Sequence, residues 1–371
     1  MEKVKNFDTM KITTYILGIL LFFACSQQDS YNGRITLKNL ENCKDSLTLT
    51  DINARISFVP LESRKECLIG NIQKLVLSSE YFFIWSKNVV YQFLRSGTFV
   101  RSIGNYGRGP EEYLDIYDIA VNENQEKVFI ADDQKVLEFN FAGEYCSTYQ
   151  ANLWWKFEVS DEGNFLINPI IIFGNEPNKL IVRDMKGDTL AMFNNAIRFE
   201  PKNISMWPQL KSLSRLENKF IFHQQFCDTI FTLNPVDRSL TYRYSFDFGD
   251  FKITEQTLNE GGEAHNKVIS VTGITEDLKY IYVDIRNRGK NRRYVIDNQT
   301  GKCNFPGFRI PELQYNFWPK WQYHDNILID YISASYLAER KDSLPQSNIN
   351  STLKNLDENS NPVLIIVETQ N

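Results

Sequence analysis

The stretch Val128-Phe129-Ile130-Ala131-Asp132-Asp133-Gln134-Lys135-Val136-Leu137-Glu138-Phe139-Asn140-Phe141-Ala142-Gly143 holds an apolar triplet, a second β-rich run and a glycine where a hairpin must turn. Triplets of the same kind recur as Phe82-Phe83-Ile84, Phe165-Leu166-Ile167, Phe220-Ile221-Phe222, Tyr280-Ile281-Tyr282 and Ile327-Leu328-Ile329. The middle residues of the six stand 46, 37, 55, 60 and 47 positions apart, centred near the roughly 40–50 residues that one four-stranded propeller blade takes. Val90-Tyr91-Gln92-Phe93 precedes Gly97 and Leu180-Ile181-Val182-Arg183 precedes Gly187, so the hairpin glycines 97, 143 and 187 repeat at 46 and 44. Thr98-Phe99-Val100-Arg101, after the first of them, is expected at a blade's outer edge. A fifth unit carries Tyr294-Val295-Ile296-Asp297 before Gly301, and the sixth has no clear turn.

β-Branched and aromatic runs divided by Asn, Asp and Gly dominate the chain, and helical periodicity is scarce. The fold class is therefore all-β, a six-bladed β-propeller. A ring must close. Arg55-Ile56-Ser57-Phe58-Val59-Pro60-Leu61 and Pro362-Val363-Leu364-Ile365-Ile366-Val367 are the terminal strands expected to share one blade. The polar segment 338–361 reads as a long loop with a short helix.

The amino-terminal 34 residues stand apart from the ring. Lys3, Lys5 and Lys11 precede a run from Ile12 to Ala24 that is too short for a comfortable span of about 20 residues. Residues 1–24 therefore read as a secretory signal peptide, with an uncleaved anchor as the weaker alternative. Leu21-Phe22-Phe23-Ala24-Cys25 resembles a bacterial lipobox, although Phe22 and Phe23 depart from its pattern. Cys25 is the expected lipidation site, 25–34 a lipidated tether leaving from the closing blade, and 35–371 the propeller. The remaining cysteines, 43, 67, 146, 227 and 303, form no C-x-x-C pair and read mainly as buried thiols.

Gly104-Asn105-Tyr106-Gly107-Arg108-Gly109-Pro110-Glu111-Glu112-Tyr113, followed by Ile119-Ala120-Val121 and Phe139-Asn140-Phe141-Ala142-Gly143, resembles the Gly-x-Gly-Pro-Gly-Glu-Tyr signature of six-bladed propeller lipoproteins of Bacteroides-like bacteria. These are similar to NHL-repeat propellers. Glu111 replaces the glycine after the proline, and Asn361-Pro362-Val363-Leu364 looks like the family's ending. The resemblance implies the propeller fold and attachment to a bacterial envelope membrane, the outer one first, and implies no activity.

By analogy with propellers that bind at the channel mouth, Arg108, Glu111, Glu112 and Tyr113 are ligand-binding candidates, set against a purely structural inter-blade crossing. Asp132, Trp155 and Trp318 join them, while the other large rings, Trp154, Trp207 and Trp321, are weighed as blade wedges. Asp132, Asp133, Asp284 and Asp330 follow triplets and could face the channel; satisfying blade turns is the competing role, and Asp237 and Asp297 read as turn formers. Three histidines, no H-E-x-x-H and no Gly-x-Ser-x-Gly indicate no catalytic constellation, no cofactor and no metal site, although a divalent cation such as calcium would suit paired carboxylates.

Forty-one Lys plus Arg against 46 Asp plus Glu, a formal charge of -5, argue against nucleic acid as a partner. The local run Arg286, Arg288, Lys290, Arg292, Arg293 reads as a solvated hairpin. The leading functional expectation is a non-catalytic recognition or scaffold module, anchored to the membrane and binding a peptide, glycan or partner protein. The alternative is a hydrolase or lyase using channel-mouth carboxylates with a bound divalent metal.

Overall fold

The computed structural model describes residues 33–43, 47–48, 52, 54–132, 135–150, 155–169, 171, 173–200, 212–304, 307–340 and 356–369. The signal peptide, Cys25, most of the tether, Asp133, Trp154 and Trp207 lie outside the described residues.

Every triplet sits in the second strand of a blade. These strands are Tyr81–Ser86, Lys127–Ala131, Phe165–Pro169, Lys219–His223, Tyr280–Asn287 and Ile327–Ile332, and each lies within its own antiparallel sheet. Successive side chains of a strand point to opposite faces, so neighbours within one triplet enter different cores. Phe82 and Ile84 pack between blades 6 and 1, and Phe83 between blades 1 and 2. Val128 and Ile130 face blade 1, whereas Phe129 faces blade 3. Six apolar clusters, one per pair of adjacent blades, thus fill the ring. Each large apolar side chain so buried contributes about 1.5–3 kcal/mol.

Blade 1 comprises Ile72–Leu77, Tyr81–Ser86, Val89–Leu94 and Phe99–Ile103, with the expected outer strand at its edge. Blade 2 runs from Asp118–Asn122 through Lys127–Ala131 and Lys135–Asn140 to Tyr145–Gln150. Blade 3 consists of Trp155–Val159, Phe165–Pro169, Asn178–Arg183 and Thr189–Asn194. Blade 4 begins with Leu213–Leu216 and Lys219–His223, and blade 5 with Ile269–Glu276 and Tyr280–Asn287.

Blade 6 explains the missing turn of the last unit. Its order is Trp321–Tyr323, Ile327–Ile332, Val363–Thr369 and then Ala54–Pro60, so its outermost strand comes from the other end of the chain. The closing strands are antiparallel, with Ala54 opposite Thr369, Phe58 opposite Ile365 and Pro60 opposite Val363. A short helix, Ala334–Glu339, capped by the Ser333 hydroxyl, lies mostly ahead of the polar segment 338–361, of which residues 341–355 lie outside the described residues.

Upstream of the closing strand the chain forms a belt that the sequence reading does not anticipate. Arg34–Thr36 adds a fifth, parallel strand to blade 4, opposite Ser245–Asp247. The described chain therefore joins the ring at the rim of blade 4, not at the closing blade, and the first strand begins at Arg34. A short helix, Leu37–Glu41, buries Leu40, and Cys43 then forms a disulfide with Cys303 at the outer strand of blade 5, 260 residues away. Leu47–Thr48 next pairs with Phe308–Ile310 between blades 5 and 6. This corrects the reading of the cysteines as mainly buried thiols. Of the rest, Cys67 is buried, Cys146 exposed and Cys227 in between.

The basic run is a hairpin turning at Arg288-Gly289, and Arg293 pairs with Asp284 at 3.3 Å. Asp237 and Asp297 accept backbone N–H groups within their turns, as expected.

At Gly97 the backbone has φ +89°, and a Cβ would collide with the Pro60 carbonyl oxygen of the closing strand. Gly187 has φ +91° with nothing within 4 Å of a Cβ. Gly97→Ala is expected to cost about 3 kcal/mol through strain and overpacking, against about 1–2 kcal/mol for Gly187→Ala from backbone strain alone. Urea unfolding of the two variants checks the difference.

Candidate functional site

The first strand of each blade is innermost, and together they surround a central channel of about 310 Å³. A strand that borders the channel on one side alternates channel-facing polar side chains with residues wedged between blades. In blade 3, Lys156 and Glu158 line the channel, while Phe157 and Val159 belong to the core shared with blade 2.

Charges of both signs meet where blades 1, 2 and 3 converge. Lys74 Nζ lies 2.8 Å from Glu158 Oε1 and 3.1 Å from Asp118 Oδ1, linking three blades through one ammonium group. Asp118 is 1% exposed and accepts further hydrogen bonds from the backbone N–H groups of Ile119 and Phe157. Lys156 Nζ donates to the Tyr117 carbonyl at 3.2 Å and stands 4.0 Å from Asp118. Burial alone would push the Lys74 ammonium down, but the facing Asp118 and Glu158 carboxylates outweigh it and hold its pKa above the usual lysine value. Burial lifts the Glu158 carboxyl, against the pull of Lys74.

Further polar groups follow the channel toward the ends of the inner strands. Arg215 of blade 4 reaches Asp161 at 2.7 Å and the Val159 carbonyl of blade 3 at 3.3 Å. Glu123 accepts from Ser79 N at 2.7 Å and from the Tyr323 hydroxyl at 3.0 Å. Burial raises the Glu123 carboxyl, but these hydrogen bonds win and lower its pKa. Trp321 also lines the channel, stacked on Tyr331 at 5.9 Å.

None of the described candidate side chains named from sequence lines this channel. The glycine-rich motif is a strap in which Asn105–Tyr106 pairs in parallel with Glu112–Tyr113. Tyr113 is 1% exposed, donates its hydroxyl to the Ile103 carbonyl, and has its pKa pushed up to about 12 by burial. Glu112 turns its carboxylate onto Gly109 N at 2.7 Å. Lys135 Nζ caps the carbonyls of Gly109, Pro110 and Glu112. A Cβ at Gly104 would press on the rings of Phe139 and Tyr113 at 2.8 Å, so packing demands that glycine. Arg108 and Glu111 are exposed on the strap.

The other candidates also hold loops. Asp132 is buried and accepts from Leu114 N at 3.3 Å. Asp330 accepts from Trp318 N and the Tyr315 hydroxyl and pairs with Lys320, while Asp284 accepts from Trp318 Nε1 and pairs with Arg293. Trp318 is 2% exposed and packs edge-on against Tyr282, so it is a wedge, and Trp321 is the ring that reaches the channel. Trp155 starts the inner strand of blade 3, and its side chain lies outside the described residues. Among the described residues no group of three His, Cys, Asp or Glu is placed to hold a metal ion. The residues that sequence reasoning missed are Lys74, Asp118, Lys156, Glu158 and Arg215; their signal was a charge within the strand preceding a triplet.

A family profile described as Domain of unknown function (DUF4934) matches residues 33–368. The chain belongs to the DUF4934 family. No curated protein matches it. Among solved structures, this DUF4934 chain is similar to a Bacteroides fragilis protein described as exported, at 17% identity and a TM-score of 0.72, covering 91% of this chain and 100% of that one. It is also similar to a DUF4221 member from Bacteroides vulgatus, at 11% identity and a TM-score of 0.45, covering 85% and 97%. The first likeness agrees with the six-bladed propeller arrangement.

Replacing Lys74 by Met leaves Asp118 and Glu158 without their shared cation, at an expected cost of about 3 kcal/mol. Without Lys74 the raised Glu158 pKa rises further, so the folded variant binds a proton that the unfolded chain releases. The deficit should therefore shrink as pH falls from 8 to 5, which urea unfolding at the two pH values checks.

Proposed function

We propose that this DUF4934 chain is a non-catalytic recognition module of the bacterial envelope, lipid-anchored through Cys25, that takes a peptide segment of a partner at its central channel. The observation that carries the reading is the channel itself, where the inner strands of several blades and the turns that follow them present Lys156, Arg215, Glu123 and Asp161 around one opening. A rigid ring with charges of both signs suits a segment carrying both amide groups and ionised side chains. A glycan is the competing ligand, with Trp321 as its platform.

Metal-assisted hydrolysis draws no support from the described carboxylates. Asp132, Asp284 and Asp330, the carboxylates that would have to converge, already accept hydrogen bonds from separate loops. The exported location is supported by the leader-like amino terminus and by the description of the B. fragilis neighbour. Among the described residues no helix is long and apolar enough to cross a membrane.

Peptide and glycan arrays probed with the purified protein should return charged peptides, and Lys156→Ala and Arg215→Ala should each weaken the best of them by about tenfold, the loss of one charge-assisted hydrogen bond. Hits confined to glycans would replace the ligand class. Binding that survives both substitutions but is lost in Arg108→Ala would move the site to the strap. For the anchor, Cys25→Ala should shift the protein from the membrane fraction to the soluble fraction on immunoblots, and retention would indicate an uncleaved helix.

A further inference from the structure

The inter-blade cores are built from side chains of unequal size. Toward blade 2, blade 1 presents Phe83, Trp85, Val90 and Ile103. Toward blade 3, blade 2 presents Ala120 and Ala131 beside Phe129 and Val136. A cleft of about 340 Å³ opens between the outer part of blade 2 and the hairpin that ends strand Asn178–Arg183 of blade 3. That volume lies in the range of small-molecule sites, roughly 300–1,000 Å³.

The apolar walls are Val136, Phe157, Phe165 and Ile167, with Tyr149 meeting Phe165 edge-on at 5.4 Å and 68°. Such an arrangement accepts a further ring by offset or edge contact. Ser147 and Thr148 of the blade 2 edge strand add hydroxyls to the lining.

Arg183 gives the cleft its chemistry. It is partly buried, its Nε is enclosed without a hydrogen-bond partner, and its guanidinium makes no hydrogen bond, ion pair or ring contact among the described residues. Other arginines in comparable settings have carboxylates: Arg215 has Asp161 and Arg243 has Glu276. The adjacent Asp184 makes no ion pair with it, and its Oδ1 accepts from Lys186 N and Asp188 N within its own turn. An Nε–H removed from water without an acceptor is costly, and a guanidinium is the group best shaped to grip a carboxylate through two parallel hydrogen bonds. Exposed Lys186 at the same hairpin adds a second positive charge.

We propose that the cleft between blades 2 and 3 binds a small aromatic carboxylate, its ring among Tyr149, Phe157 and Phe165 and its carboxylate on Arg183. The site is separate from the central channel and does not rest on the channel's assignment. Its test is calorimetric titration of the purified protein with naphthalene-2-carboxylate and, separately, naphthalene-2-carboxamide. The carboxylate should bind saturably with one site and about tenfold tighter than the carboxamide, the difference that a charge-assisted bidentate contact makes. Arg183→Met should bring the carboxylate down to the level of the carboxamide while leaving the carboxamide unchanged, and Arg183→Lys should keep a part of the preference. Equal affinity for the two probes, a preference that survives Arg183→Met, or no saturable binding of the carboxylate overturns the proposal. Should the Met variant fail to fold, the Lys variant decides: a preference undiminished from wild type refutes the role of the guanidinium fork.

Discussion

Everything in this ring depends on a strand that is buried on both faces. The second strand of each blade feeds alternate side chains into two neighbouring cores, so Phe82 and Phe83, adjacent in sequence, stabilise different interfaces. A blade isolated from its neighbours would expose both sides of that strand, and no blade is an independent folding unit in this sense. The ring must therefore close for any single core to be complete. Closure rests on the pairing of Ala54–Pro60 with Val363–Thr369, which joins opposite ends of the described chain.

The same constraint separates what was legible in the sequence from what was not. Two-sided burial demands unbroken apolar runs, which is why six triplets could be counted and why each sits in a second strand. The closing strands were legible because the apolar run Val363–Val367 and the alternating run Arg55–Pro60 each lacked a hairpin partner of its own. Arg34–Thr36 was not, since a three-residue strand leaves no period to read. Nor was the Cys43–Cys303 pairing, because residues 260 apart carry no spacing signal.

The functional candidates were harder for a physical reason. The glycine motif is conspicuous in the sequence, where channel-mouth and structural roles compete, and Tyr113 and Glu112 turn their polar atoms onto neighbouring backbone groups, as the structural role requires. Lys74 and Asp118 were inconspicuous, because one charge in a short strand resembles ordinary alternation between a wet and a dry face. Of two rings three residues apart, Trp318 is buried, whereas Trp321 packs against the core of blades 6 and 1 and also lines the channel, a difference that the type of side chain does not disclose. Arg183 belonged to a run read only as a hairpin strand, and its lack of a partner is visible only once the neighbouring blade is in place.

The belt that precedes the closing strand also sets how the ring would respond to mechanical load. Tension applied at Gly33 would first shear the short parallel pairing of Arg34–Thr36 with blade 4. It would then arrive at Cys43, where a covalent bond passes it to blade 5 through Cys303. The strand Ala54–Pro60 lies beyond that bond along the chain and carries none of the pull while the disulfide holds. The hydrogen-bonded seam that closes the ring is thereby relieved of strain at the point where a propeller is easiest to unzip.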